Sequence, residues 1–122
     1  MPALTEELKR QRSDQIFTYK ATTLLRTTAV TPWDDGNTYS ASAYFTVNGE
    51  NVAIRCVSKT RAAVVAFHEH IRQLFTSDSS TTYLSLDMIV AGARTDIAKR
   101  PDLSDADITL TYIDQFSETH VL

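Results

Sequence analysis

One short stretch restricts this chain more than any other: Asn48-Gly49, set between two alternating apolar runs. Tyr39, Ala41, Ala43, Phe45 and Val47 alternate with Ser40, Ser42, Tyr44 and Thr46. That period of two is the pattern of a strand with one buried face. Asn-Gly follows at once, and a type I′ turn, which needs positive φ at both central residues, favours this dipeptide above others. On the return, Val52, Ile54 and Cys56 alternate with Ala53, Arg55 and Val57. The period then changes. Ser58 or Thr60 is suited to cap a helix, and Val64, Phe67, Ile71, Leu74 and Phe75 recur at spacings of three and four, which places them on one helical face. Arg61, Glu69, Arg72 and Gln73 fall opposite. A hairpin followed by a helix able to cover one of its faces is the kernel of an α+β domain.

The flanking segments extend that kernel. Within residues 2–13, LTEELKRQR reads as a short helix, with Thr5 as its cap and Glu6 and Glu7 at its positive end. Its apolar stripe is only Leu4 and Leu8, so it docks lightly or meets a neighbour. Residues 15–28 favour strand, given their threonines and their Ile, Phe and Tyr. A helix continued from the N-terminus is the alternative, because Leu4, Leu8, Ile16 and Tyr19 nearly align. Residues 30–38 form a loop, with Pro32, Asp34, Asp35 and Gly36 as turn residues. Trp33, the single tryptophan, closes one end of the core or anchors a contact. After the polar turn at 76–82, Leu84, Leu86, Met88 and Val90 alternate with Tyr83, Ser85, Asp87 and Ile89 as a further strand, and Gly92 marks a bulge or bend. A polar connection over 97–106 leads to a last strand, with Ile108, Leu110 and Tyr112 against Thr109 and Thr111, ending near Phe116; the final SETHVL frays. The expected architecture is a single α+β domain over residues 1–122, in the order α-β-β-β-α-β-β. Short connections make its sheet of four to five strands mainly antiparallel. One amphipathic helix packs on one face, and a short helix precedes the sheet.

A chain of 122 residues suits one domain, and at that size roughly two-thirds of the unfolded surface is buried, enough for a core without staples. The lone Cys56 forms no internal disulfide and reads as a small buried hydrophobe. A net charge of −3 argues against nonspecific nucleic-acid binding, which calls for a basic face. The N-terminus is charged and no apolar run approaches about 18 residues, so neither a signal peptide nor a membrane span is read. An intracellular, cytoplasmic protein is expected, or one carried within a virus or phage particle. Charge is uneven along the chain: residues 1–26 hold five basic against three acidic residues, and 87–122 hold three basic against seven acidic. Opposite-signed ends favour head-to-tail association.

The element order over residues 3–75, with SKTRAA opening the last helix, is similar to that of a double-stranded RNA-binding domain. That family places a lysine cluster there to bridge phosphates. Here only Lys59 and Arg61 stand at the place, and two further strands follow, so the likeness is one of topology.

No Ser-His-Asp or Cys-His arrangement can be read from the sequence, since such partners meet only in space. Phe67-His68-Glu69-His70 resembles a metal motif by eye only, because two residues along a helix are about 200° apart. Zinc-binding helices present His at i and i+4. Asp34-Asp35 and Asp105-x-Asp107 sit in turns, where Asp is common for backbone reasons. His120 has Asp114 within reach in principle, and three glycines are too few for a phosphate loop. No catalytic residue, metal or cofactor is assigned. The leading expectation is a non-enzymatic assembly or interaction module, possible as a particle component, that associates with itself or a larger partner. Its contact face would be the sheet face of Ser40, Ser42, Tyr44, Thr46, Ser85, Thr109 and Thr111; such side chains adapt to a partner at small entropic cost. Trp33, Tyr44, Thr46, Arg55, Thr109 and Thr111 are the contact candidates. The alternative is a small-ligand-binding or sequestering protein with a pocket between subunits, lined by Trp33, Tyr39, Tyr44 or Arg55. An enzyme using the Asp and His residues above is the third reading.

Overall fold

The structure is a computed structural model in which residues 5–19, 23–32, 37–76 and 84–122 are described. Helix α1 spans Glu6–Thr18. Strands β1 (Thr23–Thr27), β2 (Thr31–Pro32), β3 (Tyr39–Val47) and β4 (Glu50–Ser58) follow. Helices α2 (Arg61–Thr76) and α3 (Leu86–Ala98) come next, then a 3₁₀ turn at Asp105–Asp107 and strands β5 (Ile108–Ile113) and β6 (Thr119–Val121). The six strands form one antiparallel sheet in the order β1-β3-β4-β5-β6, with β2 also pairing β3. The mixed α+β class and the antiparallel sheet agree with the sequence reading; the sheet has one strand more than expected.

The β3–β4 hairpin is its spine. Nine consecutive pairs run from Tyr39↔Ser58 to Val47↔Glu50. Asn48 and Gly49 turn the chain with φ of 50° and 80°, as the type I′ pattern requires. Ala41, Ala43, Phe45 and Val47 on β3, Val52, Ile54 and Cys56 on β4, and Leu110 and Tyr112 on β5 share the core with the helices. Helix α2 contributes Ala63, Val64, Phe67 and Ile71. Helix α1 enters through Ile16 and through Phe17, whose ring lies 4.9 Å from that of Tyr112. All three helices therefore cover the same face of the sheet. No described helix covers the other. Among the described residues no helix is long and apolar enough to cross a membrane.

Four expectations need correction. Residues 84–90 are not a strand. Leu86, Ile89, Val90, Ala93 and Ile97 are buried on one side of α3, with Ser85 at its N-cap and Asp87 in its first turn. Alternation over Leu84–Val90 satisfies a period of two, but the pattern continued to Ile97 satisfies only 3.6. Gly92 is accordingly no bulge: it lies mid-helix, and a Cβ there would stand 3.2 Å from His70 Nε2. Residues 15–28 divide between the two alternatives, since α1 continues to Thr18 and β1 begins at Thr23. The C-terminus does not fray; residues 119–121 pair with β5. Thr5 caps α1 as expected, accepting from the Leu8 N–H at 3.2 Å. The helix is anchored by Ser13 and Ile16, while Leu8 stays exposed.

Candidate functional site: the open face of the sheet

Alternation along each strand decides what the open face displays. Residues of β3 and β4 that do not point at the helices are Ser40, Ser42, Tyr44 and Thr46, and Asn51, Ala53, Arg55 and Val57. The register sets them in rows across the sheet: Arg26, Tyr44, Ala53 and Ile113; then Ser42, Arg55, Thr111 and Val121; then Ser40, Val57 and Thr109. Tyr44, Thr46, Arg55, Thr109 and Thr111 thus fall on one surface. Trp33 lies outside the described residues. Ser85 does not belong to the face, being the cap of α3, and Tyr39 points to the core side, away from Tyr44 and Arg55.

The face is uneven in height. Ser40, Ser42, Ala53 and Thr111 are each under a tenth exposed although no described helix lies over them. They sit low between taller neighbours. Arg55 Nε donates to Ser42 Oγ at 3.4 Å, and the Arg26 guanidinium lies 4.2 Å from the centre of the Tyr44 ring. That cation–π stack fixes two long side chains in one place and lowers the entropy a partner would have to remove. Thr28 extends the surface beyond β1, where its Oγ1 accepts from the Ser42 N–H at 2.9 Å. At the hairpin end, Thr46 Oγ1 donates to Asn51 Oδ1 at 3.3 Å. Beside this corner lies a hollow of about 290 Å³ lined by Leu25, Arg26, Tyr44, Asn51, Ala53 and Ile113 among others, mostly apolar at its floor. Arg26 escaped the sequence reading because β1 carries an irregularity between Leu24 and Arg26 that moves Arg26 onto the face. Its one available signal was its place beside a Thr-rich segment of undecided period.

The other candidate chemistry resolves into structure. Asp114 is 1% exposed in its side chain, at the turn between β5 and β6. Its Oδ1 accepts from the N–H groups of Phe116 and Glu118 at 2.8 and 2.9 Å, and its Oδ2 meets His120 Nε2 at 2.7 Å. Burial pushes this carboxyl up, but the bonds from His120, Glu118 and Phe116 outweigh it and hold the pKa below the ordinary value. Asp114, Glu118 and His120 bring possible ligand atoms within 4.8 Å of one another, a grouping of which sequence suggested only the Asp–His pair. Both Asp114 oxygens are already engaged, so the group is accounted for as the clasp of a hairpin. His68 and His70 do not converge. His70 is half-buried against Gly92 rather than exposed, and burial lowers its pKa, Asp96 opposing and Arg100 adding to the shift. Cys56 is fully buried, which pushes its thiol up to about 12 and leaves it unreactive at neutral pH.

No protein-family model, curated protein or solved structure matches the chain.

Proposed function

We propose that this protein is a non-enzymatic assembly module that associates with further copies of itself through the open face of its sheet. The observation that carries the reading is the segregation of all three helices to one side, which leaves a face of Ser, Thr, Tyr, two arginines and the aliphatic Ala53, Val57, Ile113 and Val121 without a described cover. Antiparallel sheets do leave one face to water. Solvated faces are usually laced with charge of both signs, whereas the rows of this face hold Arg26 and Arg55 and no carboxylate. Low hydroxyl side chains between ordered tall ones give a relief that a second surface can fill. A viral or phage particle is one setting that such a module would suit.

Size-exclusion chromatography with light scattering tests this. The wild-type chain is expected to elute as a multimer, and Thr109→Lys, which sets a charge at an exposed position of the face, as a smaller species with unchanged circular dichroism. A multimer of the same size in both would remove the face from the account. The hollow beside Tyr44 favours a second reading, in which the same corner holds a small ligand. Bound mass retained by the native protein would distinguish it.

A further inference from the structure

The hollow at the corner of the open face has a consistent polarity. Leu25, Val52, Ala53 and Ile113 supply its apolar lining, and Val52 and Ala53 are buried. Arg26, Tyr44, Asn51, Ser117 and Asp114 supply the polar part. Its hydrogen-bond donors are uncommitted. The Arg26 guanidinium stacks on the Tyr44 ring at 4.2 Å and meets no acceptor or carboxylate among the described residues. Asn51 accepts from Thr46 through Oδ1, which leaves its amide N–H groups to spare. The hydroxyls of Tyr44 and Ser117 have no partner among the described residues either. Asp114 is the carboxylate of this lining, and it is already engaged. Its side chain is 1% exposed, and its oxygens are held by the N–H groups of Phe116 and Glu118 and by His120.

We infer that this hollow binds a small carboxylic acid with an apolar body, its carboxylate on Arg26 and its body against Leu25, Ala53 and Ile113. The inference rests on the second reading above, in which this corner holds a small ligand, and it names the class of that ligand. Charge and donor count select it. A planar carboxylate accepts two parallel N–H bonds from a guanidinium, and Asn51 and Ser117 line the same hollow as further donors. An ammonium would face Arg26 and find the Asp114 oxygens already bonded. A neutral alcohol of the same shape would cover the apolar lining but forgo the charge-assisted bonds. Inorganic phosphate would reach Arg26 and leave that lining in water. Size limits the body: about 290 Å³ is at the small end for ligand sites, so a single ring or a short branched chain fits and a long acyl tail does not. The stack on Tyr44 holds the guanidinium before the ligand arrives, which reduces the ordering that binding requires.

Benzoate is the probe, with benzyl alcohol, benzylamine and inorganic phosphate beside it. Each is titrated into the full-length chain, as wild type and as Thr109→Lys, and followed by amide chemical shifts. Thr109 lies outside the hollow, so the variant keeps the site while opposing any multimer that would cover it. Benzoate should give saturable shifts centred on residues 25–26, 44, 51–53 and 113–117 in at least one of the two chains. Benzyl alcohol should bind about tenfold more weakly, for want of the charge-assisted bonds. Benzylamine and phosphate should leave those amides unmoved. Arg26→Gln should weaken benzoate by about tenfold and leave benzyl alcohol unchanged, a split that a general loss of structure would not produce. Benzyl alcohol or phosphate bound as tightly as benzoate, or benzoate indifferent to Arg26→Gln, overturns the carboxylate class and leaves the corner a ligand site. Shifts that map elsewhere, or no saturable shift from any probe in either chain, overturn the site and the second reading together. The assembly reading stands or falls separately, on oligomeric state.

Discussion

At the residue scale, Asp114 and His70 show how polar groups in this fold serve packing. Asp114 satisfies two backbone N–H groups and His120 from a side chain almost without solvent contact. Asp114→Ala leaves those donors unpaired and is expected to cost about 1–3 kcal/mol. Urea denaturation measures that loss, and hydrogen exchange should find the amides of residues 119–121 unprotected before the rest of β5 opens. His70 governs a different range. Its pKa is below the ordinary 6.5, so the unfolded chain binds a proton that the folded chain resists. Stability is therefore full above pH 6.5 and falls as the pH drops below it, towards the folded pKa. His70→Gln should flatten the slope of stability between pH 6.5 and 5. The flattening is partial, because His68, held low by burial and by Arg72, follows the same sign. An unchanged slope would mean that the contact with Gly92 does not hold the ring neutral.

At the element scale, what was legible depended on how local the signal was. The hairpin could be read because its turn chemistry and its alternation agree; Gly49 has open space around the position of a Cβ, so Gly49→Ala tests backbone strain alone and should cost about 1–2 kcal/mol in thermal denaturation. Helix α3 could not be read from Leu84–Val90, a window too short to separate two periods; the buried series Leu86, Ile89, Val90, Ala93 and Ile97 settles it. The meeting of His70 with Gly92 had no signal at all, since it exists only when α2 packs on α3. Gly92→Leu would drive a side chain into that seam and is expected to destabilise the fold by about 1–3 kcal/mol, as chemical denaturation would measure. The candidate site follows the same rule. Alternation placed Tyr44, Arg55, Thr109 and Thr111 on one face, while Ser85 was assigned to that face through the same misread period and Arg26 was lost to the irregularity in β1.

At the scale of the whole molecule, the distribution of layers carries the functional argument. Three helices on one side satisfy the apolar half of the sheet and leave the other half with low hydroxyls, an ordered Arg26–Tyr44 stack and few charges. In the proposed reading, a chain built this way offers surfaces for further copies. The most direct measurement is native mass spectrometry of the wild type beside Tyr44→Ala/Thr46→Ala, each at low and high ionic strength. The account predicts wild-type multimers of bare chain mass, a smaller species for the face variant, and further loss at high salt, where attraction between the opposite-signed ends of the chain is screened. A wild type that stays monomeric, or a face variant that assembles to the wild-type size, would contradict it.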